Sequence, residues 1–148
     1  MTLKHKGPLV KKSMTTINYV ILAAGKGTRM RSAKPKVLHR LAGRSMLQHV
    51  VTAVDALGES KKIIVTGHGA PLVEEQFDDV NTLFVQQKEQ LGTAHAVQMA
   101  LPALCDDAVV VVLYGDVPLI RPATIKRLLQ VVGDKSIGLL TITLDDPQ

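Results

Sequence analysis

The chain of 148 residues has no tryptophan, two tyrosines, two phenylalanines and one cysteine. A lone cysteine, Cys105, rules out an internal disulfide and suits a reducing compartment. It is expected as a small buried residue near a helix end, not as a nucleophile. So few aromatic rings leave no stacking surface of the kind that binders of single-stranded nucleic acid carry. No apolar run approaches the ~18 residues of a membrane-spanning helix, and the basic N-terminus is not followed by an apolar run ending in a small-residue cleavage site. The expected location is the cytoplasm, with neither a membrane nor a nucleic acid as partner. Acid is also missing from the first 13 residues, whose Lys4, Lys6, Lys11 and Lys12 account for all but one unit of the net charge of +5. Residues 1–16 are expected as a basic, disordered tail, and residues 17–148 as one globular unit.

What is present begins with an apolar strand running straight into a glycine-rich, cationic turn, Val20-Ile-Leu-Ala-Ala-Gly-Lys-Gly-Thr-Arg-Met30, followed by Lys34-Pro35-Lys36. Gly25 and Gly27 let the backbone turn tightly and bring its N–H groups near anionic oxygens. Lys26, Arg29, Lys34 and Lys36 add positive charge just past a buried strand end, where open α/β sheets place their ligands. For Lys26 and Lys34 a solvated side chain is at least as good a reading. Two familiar phosphate loops fail on spacing. Gly25-Lys26-Gly27-Thr28 lacks the four residues that a Walker loop puts before its Gly-Lys-Ser/Thr, and Met30 stands where a dinucleotide fingerprint needs its third glycine.

Apolar runs recur at Ile17 to Leu22, Lys62 to Thr66, Leu83 to Val85, Ala108 to Tyr114 and Ile137 to Leu144. Their continuous character predicts strands buried on both faces. Between them, Met46, Leu47, Val50, Val51, Val54 and Leu57 form a helical stripe, with Ser45 as N-cap or first-turn residue and Gly58 as C-cap. Pro71 and Pro122 fit first turns of further helices. A helix following Gly92-Thr93 is expected to bend or stop at Pro102. Alternating strands and helices predict right-handed crossovers and a mostly parallel, three-layer α/β sheet.

The G-x-G-T-R-M pattern with P-K downstream resembles the signature of the sugar-nucleotide pyrophosphorylases. The resemblance narrows to the bacterial N-acetylglucosamine-1-phosphate uridylyltransferases. It is carried by Lys34 to His39 (K-P-K-V-L-H), Glu89 to Ala96 (E-Q-L-G-T-A-H-A), Leu113 to Ile120 (L-Y-G-D-V-P-L-I) and Gly138 to Pro147 (G-L-L-T-I-T-L-D-D-P), in the family's order. It implies a Rossmann-like nucleotidyltransferase fold and a nucleotide site. Backbone at Leu22, Ala23, Ala24 and Gly25 would meet the nucleotide, and Arg29 and Lys36 would hold the triphosphate. Gln87, Gly92 and Thr93 would recognise base and ribose, since a glutamine amide both donates and accepts. Asp116 would be the protein ligand to Mg²⁺, with Tyr114 and Gly115 lining the site. Without the resemblance, Gln87 reads as one exposed glutamine among several, Asp116 as a turn former, and the histidines as structural.

The implied reaction joins UTP and N-acetylglucosamine 1-phosphate into UDP-N-acetylglucosamine and pyrophosphate, supplying peptidoglycan and lipopolysaccharide synthesis. The family's G-Y-G-R block, the asparagine that gives the second metal ligand, and the hexapeptide-repeat acetyltransferase domain that makes the bifunctional enzyme trimeric all follow residues matching Pro147. The expectation is therefore an intact nucleotide half, truncated before most of the acceptor half, with turnover by this chain alone not expected. Two other readings stand beside it: a pyrophosphorylase for another sugar phosphate or base, and a non-catalytic nucleotide-binding remnant.

Overall fold

A computed structural model describes residues 16–25, 27, 30, 32–77, 79–133 and 136–143. The basic tail expected over residues 1–16 therefore lies almost wholly outside the described residues. Strand β1 (Ile17–Ala23) is buried on both faces and occupies the interior of the sheet. A short 3₁₀ turn, Lys36–Leu38, leads to a two-residue hairpin, β2 (Arg40–Leu41) and β3 (Arg44–Ser45), which turns through Ala42 and Gly43 at positive φ. Helix α1 (Met46–Asp55) starts where expected, since the Ser45 side chain accepts a hydrogen bond from the Gln48 N–H. Then come β4 (Lys61–Thr66), α2 (Ala70–Glu74), β5 (Thr82–Gln86), α3 (Thr93–Ala100), β6 (Val109–Tyr114) and α4 (Pro122–Val131). Pro102 ends α3 by turning Leu101–Ala103 into a 3₁₀ segment.

The main sheet runs β5-β4-β1-β6 and every pairing in it is parallel. Odd residues of β1 (Tyr19, Ile21, Ala23) pack with Ile64 and Val111 against α1, α2 and α4. Even-numbered Val20, with Ile63 and Val65, packs against Ala96 and Ala100 of α3. Helices thus lie on both faces, the three-layer α/β arrangement that the alternating pattern predicts, but burial on both faces holds only for β1 and β4, since Leu83 of β5 and Val110 and Val112 of β6 are exposed.

Two expectations are corrected here. Residues 136–143 form no strand, and Ile137, Leu139 and Ile142 are exposed. An apolar run becomes a strand only beside a ladder partner, and β6 is paired with β1 alone among the described residues. The backbone at Gly138 instead lies close to Val132 and Leu128, at the end of α4. Cys105 is exposed rather than buried: Ala103 and Leu104 still pack against the α3-side core, and the chain leaves it only beyond them, toward Asp107 with φ of 59°.

One polar tie crosses the α1 face. Lys62 is 5% exposed and its Nζ lies 2.5 Å from Asp55, at the end of α1, and 2.7 Å from Asp79, ahead of β5. Burial pulls the Lys62 ammonium down, but the hydrogen bonds and charges of Asp55 and Asp79 outweigh it and hold it above the ordinary lysine range. The hydrogen bond from Lys62, helped by the backbone N–H of Asn81, holds Asp79 below the ordinary carboxylate range. A carboxylate held low stabilises the fold above its unfolded pKa and loses that contribution as pH falls through its folded value. A lysine held high does so below its unfolded pKa and loses it as pH rises past its folded value. The Asp79 contribution should therefore be complete above about pH 4 and fade below it. Asp79→Asn is expected to lower the melting temperature at neutral pH, with the difference from the parent shrinking as pH falls below about 4. A melting series across that range checks this.

Candidate nucleotide site

Because the four strands are parallel, β1, β5 and β6 end on one edge, and their loops enclose a cleft of about 550 Å³. Past β4 and β5 on one side of β1, the chain crosses to β6 on the other, so the cleft lies at the switch point of the sheet. Leu22, Ala24 and Gly25 line it from the first loop, Gln87, Gly92 and Thr93 from the β5–α3 connection, and Tyr114 and Asp116 from the end of β6. Lys36 reaches it from the 3₁₀ turn. The structure thus gathers most of the sequence-predicted residues around one space.

Ala23 and Gly115 do not join them. Ala23 is buried in the core shared with α1, since in a strand a residue beside one that faces the cleft points the other way. Gly115 is buried behind the lining, its N–H donating to the Leu22 carbonyl at 2.9 Å. Arg29, with Lys26, lies outside the described residues. Lys34 is exposed and does not line the cleft.

The loop geometry has a local cause. Gly27 has φ of 58°, and a Cβ there would stand 2.8 Å from that of Lys36. Glycine is what allows the loop to lie against the residue that carries the cleft's cation. Lys36 Nζ sits 2.7 Å from Asp116 Oδ2, with the two side chains 41% and 32% exposed. A cation and a carboxylate eighty residues apart are therefore paired at the cleft. Such a half-exposed pair contributes little stability, so either partner can be drawn to a ligand at small cost. Among the described residues no group of three or more His, Cys, Asp or Glu could hold a metal by itself. Among the described residues Asp116 is the one carboxylate in the lining. That fits a hard cation held by a single carboxylate together with substrate phosphates, as Mg²⁺ commonly is.

On the other wall, Gln87 is 4% exposed, not one exposed glutamine among several. Its backbone N–H donates to Thr66, and its Nε2 donates to the Gly92 carbonyl at 3.1 Å and lies 3.0 Å from His95 Nδ1. His95 thus touches a lining residue rather than serving only the core. Helix α3 opens at Gly92, with φ of 98° and no capping side chain. Its first-turn N–H groups are left for oxygen acceptors in the cleft. Gln90, missed at the level of sequence, also lines the cleft, and its Nε2 donates to the Ala24 carbonyl at 2.7 Å. Its only advance signal was its place inside the E-Q-L-G-T-A-H-A block.

A parallel sheet open at its switch point to a paired cation and carboxylate, with helix N–H groups opposite, is the arrangement by which open α/β folds hold nucleotides and other phosphate-bearing ligands. Comparison narrows the class. Residues 19–144 match the MobA-like NTP transferase domain, and the chain belongs to that family. The bifunctional protein GlmU of Pseudomonas putida is 58% identical over 134 residues, a match covering 89% of this chain and 29% of that protein. This chain thus spans less than a third of the curated relatives it matches. A nucleotidyl transferase from Methanothermobacter superposes with a TM-score of 0.69 at 30% identity, over 78% of this chain and 57% of the other. Rv0371C of Mycobacterium tuberculosis, solved in complex with manganese, superposes at 0.66 with 26% identity, over 79% and 59%. Among the described residues no helix is long and apolar enough to cross a membrane.

Proposed function

We propose that this chain carries the nucleotide half of a uridylyltransferase that joins UTP to N-acetylglucosamine 1-phosphate, releasing pyrophosphate. The observation that carries this reading is the meeting, in one cleft, of a buried amide at Gln87 and the Lys36–Asp116 pair. One end reads a base and the other handles phosphate. The likeness to GlmU supports the choice of uridine and sugar phosphate.

In the reaction a phosphate oxygen of the sugar phosphate attacks the α-phosphorus of UTP as the bond to the β-phosphate oxygen breaks. No protein nucleophile is needed. Lys36, with Arg29 of the same cationic run, neutralises the triphosphate and the charge that gathers on departing pyrophosphate. The N–H groups at the start of α3 donate to base or ribose oxygens, and Gln87 reads the base edge. Asp116 would hold Mg²⁺, which when bound supplies positive charge to the phosphates. The rate gain comes from positioning two anions that repel each other in water.

UTP at about 100 times its dissociation constant, with Mg²⁺, should stabilise the chain by about 2.7 kcal/mol. That raises its melting temperature by roughly 5–10 °C. CTP should do markedly less. A cooperative transition that UTP leaves unmoved would count against the reading. Pyrophosphate release with UTP and N-acetylglucosamine 1-phosphate then separates a complete catalyst from a binding half.

A further inference from the structure

We propose that His95 sets the base selectivity of the cleft by locking the Gln87 amide in one orientation, leaving Oε1 to accept the N3–H of a uracil. This rests on the reading of the cleft as a uridine nucleotide site. His95 does not line the cleft, so it is a positioning residue.

The geometry fixes the chemistry of the pair. Gln87 is almost wholly buried, and one face of its amide meets the Gly92 carbonyl at 3.1 Å. A backbone carbonyl can only accept, so the group facing it must be the NH₂. The same nitrogen lies 3.0 Å from His95 Nδ1. With an N–H directed at it, Nδ1 must accept too, which requires the neutral ring with its proton on Nε2. Both amide hydrogens are then used. Oε1 has no hydrogen-bond partner among the described residues, and Gln87 lines the cleft.

An amide oxygen held in that way discriminates at one atom. Uracil presents a donor at N3, whereas cytosine presents a lone pair there, which an oxygen repels. Rotating the amide by half a turn would reverse the preference, but it would press Oε1 against two acceptors, the Gly92 carbonyl and Nδ1. Removing Nδ1 takes away one of those two obstacles and leaves a buried N–H unpaired. The rotated amide, which suits cytosine, then becomes accessible. The triphosphate contacts at Lys36 are untouched, so nucleotides should still bind.

The test compares His95→Leu, which has no acceptor, with His95→Asn, whose Oδ1 can stand near the place of Nδ1. Dissociation constants for UTP and CTP are measured calorimetrically on the full 148-residue chain with Mg²⁺. The leucine variant is expected to lose about tenfold in its preference for UTP over CTP, the equivalent of roughly one hydrogen bond. The asparagine variant should keep the parent preference. A leucine variant as selective as the parent, or an asparagine variant that loses as much as leucine, overturns the lock. Should the leucine variant fail to fold, long-range ¹H–¹⁵N spectra of the parent decide. A proton on Nε2 with Nδ1 bare supports the lock, and a proton on Nδ1 overturns it. A parent chain that binds UTP and CTP equally overturns the uridine reading itself, and the lock with it, whereas a selective parent with a selective leucine variant overturns the lock alone.

Discussion

With Asp116 replaced by asparagine, UTP binding is expected to lose its dependence on divalent metal and to become tighter in the metal's absence. Both halves of that outcome follow from the 2.7 Å pair between Lys36 Nζ and Asp116 Oδ2. On the proposed reading, the carboxylate in the parent would occupy the cation that the triphosphate needs, and a metal would resolve the conflict by drawing the carboxylate away and adding charge of its own. Asparagine keeps the size and a weak acceptor but cannot compete for the ammonium or ligate Mg²⁺ well. Metal-free affinity should rise by a few-fold, about what a half-exposed ion pair is worth. The gain on adding Mg²⁺ or Mn²⁺ should fall by about tenfold or more, as when a metal site loses its support. Titrations of UTP with and without metal, parent against variant, check both. Metal dependence surviving in the variant would move the ligand elsewhere. Weaker metal-free binding would mean that Lys36 does not meet the phosphates.

The largest effect on stability is expected at Ile64→Ala. Ile64 is fully buried in β4, an interior strand, and belongs to the core shared with α1, α2 and α4. Truncating such a side chain removes its transfer free energy and leaves a cavity that close packing cannot fully heal, a loss of about 2–5 kcal/mol. For a domain of this size the melting temperature should drop by roughly ten degrees, and urea denaturation would measure the loss directly. Ile64 does not line the cleft, so below its own melting temperature the variant should still respond to UTP. A loss under about 1 kcal/mol would contradict the packing of helices on that face.

Much of the fold was legible because the strands of a parallel sheet are apolar on both faces. Ile17–Ala23, Lys61–Thr66 and Val109–Tyr114 lie within a residue of the runs that announce them, and Ser45 and Pro122 start their helices as their chemistry predicts. The run from Ile137 was misread for the same reason, since composition reports a taste for pairing and not the presence of a partner. The hairpin of Arg40–Leu41 and Arg44–Ser45 escaped notice because two residues carry no period.

At the site, the lining by Lys36, Gln87 and Asp116 was expected, but what they touch was not. Lys36 meets Asp116 and Gln90 meets the Ala24 carbonyl across long stretches of sequence. No local pattern encodes a hydrogen bond between distant loops. The burial of Gln87 was hidden for a related reason, since a polar residue at a strand end reads as surface until its partners are known. His95 shows the same limit, because only the fold sets it beside Gln87.

The strand order also sets a timetable for a nascent chain. Of the described strands β1 is made first, yet its Ile17 pairs with Val109 on one flank and its Asn18 with Lys61 on the other. At the usual pace of translation, the second flank stays open for on the order of five to twenty seconds after β1 is made. During that interval a strand destined for the interior of the sheet has a bare edge. It is the segment that a chaperone would serve best by covering, and the one through which two unfinished copies would most readily stick together.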